Sequence, residues 1–116
     1  MHIHITPRHL KLSSKIHSYV VDKVGHAEDL APDLIAAHVV IWHDEKPGSK
    51  RPYVVKAHLS VPGPDIHSED NGGTVYEAID KVADHLLHQL RKRKTRLQEK
   101  NKHRAKLTKE RARTRA

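Results

Sequence analysis

The basic residues of this chain are concentrated at its C-terminal end. Residues 91–116 carry 13 lysines and arginines against Glu99 and Glu110, a net charge of +11, whereas residues 1–90 hold 9 basic and 12 acidic side chains. A dense block of like charges repels itself and has few apolar side chains to bury. We therefore expect a folded domain over residues 1–97 and a basic, flexible tail over 98–116 that is disordered or only conditionally helical. The counter-charge for such a tail most often comes from a nucleic acid.

The length and composition of the chain restrict its class. A chain of 116 residues has room for one small hydrophobic core. The absence of cysteine excludes disulfides, cysteine-ligated metal sites and thiol nucleophiles. No apolar run approaches the roughly 18 residues needed to cross a bilayer, and Met1–Ile5 is too short for a signal peptide and lacks its basic start. The sequence predicts a soluble, cytoplasmic protein with no membrane partner.

Four segments are predicted to be β-strands. In 35–43 and 53–61 every second side chain is apolar, which is typical of a strand with one buried face. His2–Thr6 alternates in the same way and stops at Pro7, and the polar segment Asp65–Asp70 suits a short strand at a sheet edge. The residues expected to face inward in the two central strands are Ile35, Ala37, Val39, Ile41, Val55, Ala57, Leu59 and Val61. A polar loop over residues 44–52 joins these strands.

Two segments show the periodicity of amphipathic helices. The first begins at Ser13 or Ser14, whose hydroxyl can cap the first turn, and ends between Val24 and Asp29. The second begins with a capping box formed by Thr74 and Glu77, and its apolar stripe continues to Leu90. The run Arg91–Arg96 follows and is expected to form the C-terminal turns, where the helix dipole favours cations.

This order of elements predicts an α+β fold, β-α-β-β-β-α, with a four-stranded mixed sheet. The strand–helix–strand start requires a right-handed crossover and a parallel first pair, and the short later connections predict antiparallel hairpins. Both helices must cover the single apolar face of the sheet, so they pack on the same side. The residues expected on the open face are His4, His38, Val40, Trp42, Lys56 and His58.

The order and the local sequences resemble a known family. The segments that carry the resemblance are Ile3–His9, Ala37–Val40, Ala57–His67, Val75–Lys81 and Arg91–Lys94. The family is that of the ribosome hibernation promoting factors and ribosome-associated inhibitors, also called sigma-54 modulation proteins, and the resemblance covers residues 1 to about 97. The tail is similar neither to the acidic tail of the inhibitor nor to the second, ribosome-dimerising domain of the long form, so the chain resembles the short form.

The resemblance implies the same fold and a role in translation. Such proteins bind the small ribosomal subunit, with its 16S-type RNA, in the decoding channel between head and body, and they block tRNA and mRNA binding. We therefore expect a translation inhibitor that acts under stress or in stationary phase, needs no cofactor or small-molecule substrate and is monomeric off the ribosome. Without a dimerising domain, it is expected to bind single ribosomes or to act with a second factor.

Ribosomal RNA is a dense polyanion, so the candidate contacts are cationic side chains on exposed faces. The candidate RNA-binding residues are Arg8, Lys15, Lys23, Lys56, His58, Arg91, Lys92, Arg93, Lys94 and Arg96. For Lys15, Lys23, Lys56 and His58, a merely solvated surface explains the pattern as well as a phosphate contact does. The resemblance favours an RNA contact for Arg8. Trp42 can either stack on a base or cover part of the sheet.

Metal binding and catalysis have little support in the sequence. The 12 histidines include the pairs His85 with His88 and His58 with His67, but no His-Glu-x-x-His motif occurs and no carboxylate lies at a spacing that would orient a ring. Some histidines could instead supply positive charge as the pH falls. We expect neither an enzyme nor a metal site. The alternative functions are a general RNA-binding chaperone and a metal-dependent nuclease that acts through the histidine pairs.

Overall fold

The computed structural model describes residues 2–44, 48 and 50–114, with side chains as far as residue 101. The elements, in chain order, are β1 (His2–Arg8), α1 (Ser14–Gly25), α2 (Ala27–Leu30), β2 (Ala36–His43), β3 (Tyr53–Ser60), β4 (Ile66–Gly72) and α3 (Val75–Thr114). The predicted α+β class and its element order are confirmed, and the short helix α2 is an addition to them. None of the helices in the described part of the chain has the length and apolarity needed to cross a membrane.

The four strands form one mixed sheet in the order β1-β2-β3-β4. Strands β1 and β2 are parallel, with His4 opposite His38, and the later pairs are antiparallel. The predicted pairing directions are therefore correct. Strand β4 lies at one edge, as its polar sequence suggested.

All three helices cover one face of the sheet. The predicted inward residues of β2 and β3 are buried, except Ile35, which is 59% exposed and precedes the first residue of β2. Helix α1 contributes Val20 and Val24 to the core. The residues of α3 that join them are Val75, Ala78, Ile79, Val82, Leu86 and Leu90. The opposite face of the sheet stays open to solvent.

Both predicted helix starts are confirmed by their caps. The Ile16 N–H donates to the Ser13 hydroxyl at 3.2 Å, and helix α1 ends at Gly25, inside the predicted interval. At the start of α3, the Glu77 N–H donates to Thr74 Oγ1 at 3.1 Å, while the Glu77 carboxylate accepts from the Gly73 N–H at 3.2 Å. A salt link to Lys81 and this backbone donor hold the pKa of Glu77 below its usual value.

Two strand ends lie two residues beyond the sequence prediction: β1 ends at Arg8, where Thr6 was predicted, and β4 ends at Gly72, where Asp70 was predicted. Strand β1 continues through Pro7 to Arg8, because β1 is an edge strand and a proline there removes no ladder hydrogen bond that the sheet needs. The predicted loop over residues 44–52 lies partly outside the described residues. Its two ends meet where the Asp44 N–H donates to the Pro52 carbonyl at 2.6 Å.

Helix α3 continues well beyond the core. Its backbone is helical to Thr114, so the run Arg91–Arg96 lies within the helix and not at its C-terminus. The helix-dipole stabilisation expected for a terminal turn therefore does not apply to these cations. Residues 98–114 have a helical backbone, whereas the sequence predicts a tail that is disordered or only conditionally helical. The separation of 98–116 as a flexible tail stays a prediction.

Candidate nucleic-acid interface

The ten candidate residues fall into three separate groups on the structure. Arg8, Lys56 and His58 lie on the open face of the sheet, and Lys15 and Lys23 lie where α1 packs on α3. The run in α3 that contains Arg91, Lys92, Arg93, Lys94 and Arg96 forms the third group. Because the helices cover one face of the sheet and the first group lies on the other, the candidates do not form one continuous site.

The open face carries a shallow depression of about 350 Å³. Its lining is formed by Arg8, His38, Val40, Trp42, Lys56 and His58. Arg8 and Trp42 are opposite each other in the register of β1 and β2, and Lys56 is opposite Val40. The alternation of the strands thus brings two cations, imidazoles and one indole ring to one surface, a combination that can contact both phosphates and bases.

His58 has a carboxylate partner that its spacing did not suggest. Its Nε2 atom lies 2.8 Å from Oδ2 of Asp65, in the turn between β3 and β4. Both side chains are about half exposed, at 46% and 47%. The contact is an ion pair when the ring carries both protons, so part of the charge of His58 is then balanced within the protein.

Three cations of helix α3 share one flank, which we call the helix patch: Arg91, Lys92 and Arg96. At 100° per residue they lie within about 140° of arc, and together with His88 and Thr95 they line one shallow recess. All three side chains are exposed. Lys94 is also exposed, but it lies about 160° around the helix from Lys92.

Arg93 differs from its neighbours because its guanidinium is bound within the fold. It donates to both carboxylate oxygens of Asp33, at 3.2 and 2.6 Å, and to the Pro62 carbonyl at 3.3 Å. Its side chain is only 13% exposed. The hydrogen bond from Arg93 holds the pKa of Asp33 below its usual value. Arg93 therefore anchors the helix patch to the body of the protein.

Lys15 and Lys23 are placed by the contact between α1 and α3. Lys15 Nζ lies 5.8 Å from the centre of the Tyr76 ring, and Lys23 Nζ lies 3.5 Å from Asp80 Oδ1. Asp80 also accepts a hydrogen bond of 2.6 Å from the Tyr19 hydroxyl. Asp80 is 11 residues before Arg91, which corresponds to about 16 Å along the helix. These two lysines are thus remote from the helix patch.

Four contacts that shape these surfaces could not be found by motif spacing. They are Arg93 with Asp33, His58 with Asp65, Tyr19 with Asp80, and the stacking of His4 on His38 at a ring distance of 5.0 Å. Within the residues that the structure describes, no group of three or more histidine, aspartate or glutamate side chains is arranged to hold a metal ion. The only sequence signal for these contacts was the alternation that assigned His4, His38 and His58 to one face.

The comparisons of this chain with known proteins agree on one family. The model of the sigma 54 modulation protein / S30EA ribosomal protein family matches residues 3–98. A ribosome hibernation promoting factor of Pseudomonas putida is 32% identical over 98 residues, covering 84% of this chain and 91% of the relative. A ribosome hibernation promotion factor of Deinococcus radiodurans is 30% identical over 92 residues, covering 79% of this chain. The match spans only 48% of that longer relative.

Two solved structures share the fold. The N-terminal domain of Thermus thermophilus Protein Y superposes with a TM-score of 0.69 at 22% identity, covering 79% of this chain and 98% of that domain. A ribosomal subunit interface protein from Coxiella burnetii superposes with a TM-score of 0.66 at 16% identity, covering 85% and 99% of the two chains.

Proposed function

The chain belongs to the sigma 54 modulation protein / S30EA ribosomal protein family, and from this premise we propose that it is a ribosome hibernation factor. In this proposal it binds the small ribosomal subunit at the decoding channel and blocks tRNA and mRNA binding under stress or in stationary phase. Relatives named as ribosome hibernation promoting factors support the ribosome as its partner. Its place of action is then the cytoplasm, and its inhibition is steric, without catalysis or a cofactor.

One observation carries the RNA contact: the helix patch is exposed while its neighbour Arg93 is fixed to the body. The ion pair with Asp33 orders the helix before RNA arrives, so less conformational freedom is lost when phosphates bind to Arg91, Lys92 and Arg96. Arginine can bind two phosphate oxygens at once and lysine acts as a movable charge. We infer that Arg93 positions this surface and that its three neighbours contact RNA.

The other candidates have different roles in this proposal. Arg8, Lys56 and His58 contact RNA on the opposite face of the sheet, which suits a protein inserted into a channel with RNA on both sides. Lys94 contacts phosphate on the far flank of α3. Lys15 and Lys23 are partly engaged with Tyr76 and Asp80, so their contribution is the smaller one.

A sedimentation assay with salt-washed ribosomal subunits tests the partner and the channel. The protein is expected to pellet with the small subunit, and initiator tRNA is expected to displace it. Recovery with free RNA but not with the subunit would contradict the proposal and favour a general RNA chaperone. Cleavage of RNA that requires an added divalent metal would instead favour a nuclease.

A pair of matched variants tests the surface. Arg91→Glu/Lys92→Glu reverses two charges of the helix patch and is expected to weaken subunit binding by about tenfold or more. Lys11→Glu/Lys50→Glu makes the same change in net charge at two exposed residues outside the candidate groups. Equal losses in the two variants would show that only total charge matters. Arg93 is left intact in both, so that the anchor to Asp33 is preserved.

A further inference from the structure

Four histidines form a continuous row across the open face of the sheet. His4 on β1 is opposite His38 on β2, His38 is opposite His58 on β3, and His58 is opposite His67 on β4. Each strand therefore contributes one ring at the same level. We call these four residues the histidine row.

Within the row, two pairs of rings are close to one another, and all four residues are exposed. His4 and His38 are stacked, with centroids 5.0 Å apart and planes at 19°, and the centroids of His58 and His67 are 6.3 Å apart. All four residues are exposed, because the helices pack on the other face. Three strand spacings of about 4.8 Å make the row about 14 Å long.

The charge of the open face depends on this row. In the described part of the chain, the charged groups that face it are Arg8, Lys56, Glu69 and Asp65, two cations and two carboxylates that balance each other. His2 is a further titratable group on the same face. With neutral rings, these four described groups have no net charge together, and each proton that the row takes up makes the face more positive.

The spacing of the rings suits a polyanion. A phosphate backbone laid along the row would lie beside several rings at once and would stabilise their charged forms, because opposite charges attract, and so would favour proton uptake. Histidine ordinarily has a pKa of about 6.5, so this uptake of protons falls in the physiological range.

We propose that the histidine row is a binding surface for single-stranded RNA that is strengthened by protonation. This inference rests on the proposed function, in which Arg8, Lys56 and His58 contact RNA on this face. It adds the kind of RNA that binds there and the condition, low pH, that strengthens the binding. Acidification of the cell would then increase the affinity of the protein for its RNA through the row. The lysines and arginines of the helix patch keep a constant charge.

The shape of the surface favours a single strand over a duplex. Imidazole and indole rings on a nearly flat sheet can stack on unpaired bases, and other four-stranded sheets that bind RNA stack two or three bases on such a face. A duplex hides its bases and would offer only phosphates to the row. Trp42, two residues after Val40 on the same face, extends the stacking surface beyond the row.

The test uses the full chain and a 12-nucleotide single-stranded RNA with a dye whose emission does not depend on pH. Its dissociation constant is measured by fluorescence anisotropy at pH 5.8 and 7.8, at constant ionic strength and with a chelator present. If RNA raises the pKa of two rings by one unit each, wild type should bind about tenfold or more tightly at the lower pH. A duplex of the same length should show a smaller change.

Three variants assign the effect to the row. His4→Gln/His38→Gln should reduce the pH effect to about threefold or less. His17→Gln/His26→Gln removes two exposed rings on the helix side that lie outside the helix patch, and should retain the full effect. His38→Arg places a permanent charge in the row and should bind more tightly than wild type at pH 7.8. Circular dichroism at both pH values confirms that each variant is folded.

An unchanged pH effect in His4→Gln/His38→Gln would overturn the inference, and so would its loss in His17→Gln/His26→Gln alone. Failure of the proposed function is distinguished by sedimentation with ribosomal subunits. If wild type does not pellet with subunits but the oligonucleotide shows the row-dependent effect, the inference holds and the ribosomal role fails. If wild type pellets with subunits and no variant alters the pH effect, the ribosomal role holds and the inference fails.

Discussion

The guanidinium of Arg93 donates two hydrogen bonds to the carboxylate of Asp33, a residue 60 positions earlier in the chain. The same side chain reaches the carbonyl of Pro62 after strand β3. One arginine thus joins helix α3 to the segments that flank the two central strands. The exposed cations of the helix patch, before and after Arg93, are therefore held in a fixed position relative to the sheet.

The first prediction concerns the stability contributed by this pair. Asp33→Asn keeps the size of the side chain but removes its charge, and it should lower the free energy of unfolding by about 1 kcal/mol in urea titrations near neutral pH. The control is Asp29→Asn, since Asp29 is 82% exposed and lies 3.9 Å from His26. It should cost less than about 0.5 kcal/mol. Equal effects would mean that Arg93 does not anchor the helix.

The same pair predicts a pH window. The pKa of Asp33 is lowered in the folded protein, so its ionised form stabilises the fold above the ordinary value of the carboxyl group. That stabilisation is lost as the pH falls through the lowered pKa. The difference in unfolding free energy between wild type and Asp33→Asn should therefore be constant above about pH 5 and shrink towards acid.

The second prediction compares two glycines. A Cβ atom added at Gly72 would lie 2.8 Å from the backbone nitrogen of Ala78 and 3.1 Å from the Thr74 carbonyl, so the start of α3 would have to shift. Gly72→Ala should destabilise the protein by about 1 to 3 kcal/mol. At Gly25 nothing lies within 4 Å of the added atom. Gly25→Ala, in the last turn of α1, should be neutral or stabilising by up to about 1 kcal/mol.

Thermal or urea unfolding of both variants measures this difference directly. A Gly72→Ala protein as stable as wild type would show that β4 and α3 do not approach as closely as described. A destabilised Gly25→Ala protein would mean that other atoms of the protein lie close to a Cβ atom at this position.

The third prediction concerns the contact between α1 and α3. The hydrogen bond to Asp80, followed by desolvation and by the charge of that carboxylate, raises the pKa of Tyr19 above its usual value. Asp80→Asn should lower the pKa of Tyr19, as measured by ultraviolet titration with Tyr19→Phe identifying the signal. Asp84→Asn, an exposed change one turn further along α3, should leave it unaltered.

The sign of the linked stability follows from the raised pKa of Tyr19. Its contribution is fully present below the ordinary tyrosine pKa of about 10 and is lost as the pH rises through the higher folded value. Wild type and Tyr19→Phe should thus converge in stability only in strong alkali. Convergence already at neutral pH would contradict the hydrogen bond to Asp80.

The parts of the fold that sequence predicts well depend on local signals. The hydroxyl of Ser13 and the pair Thr74 and Glu77 mark helix starts because capping acts over three residues. Alternation of side chains in β2 and β3 predicts the buried face, because it too is a signal between neighbouring residues. The boundary at Pro7 was missed, because whether a proline ends a strand depends on the strand being at an edge, which is a property of the whole sheet.

The candidate surfaces were less predictable because they depend on register and distant contacts. Alternation assigned His4, His38 and His58 to one face, but a shift of two residues in any pair would keep that face and break the row. The sequence alone gives no reason to assign Arg93 a different role from Arg91 and Lys92. Its distinct role depends on Asp33, which only the folded chain brings to it.

The last prediction concerns the basic residues at the C-terminal end. Residues 100–116 contain 8 lysines and arginines, and deletion of this segment removes all eight. If about half of them meet phosphates, the slope of log K against log salt should fall by about 3, at ~0.7 to 0.9 per neutralised phosphate. Binding to the small subunit should weaken in low salt, while displacement by tRNA should persist, since the folded surface sets the position.

A variant with all eight cations changed to glutamine retains the length of the chain and should lose the same slope as the deletion. Subunit affinity is measured by sedimentation at several salt concentrations, with and without initiator tRNA. An unchanged slope in both variants would show that the segment does not touch RNA. If tRNA no longer displaced either variant although the affinity was kept, the C-terminal segment would determine where the protein binds, because the helix patch and the open sheet face are intact in both.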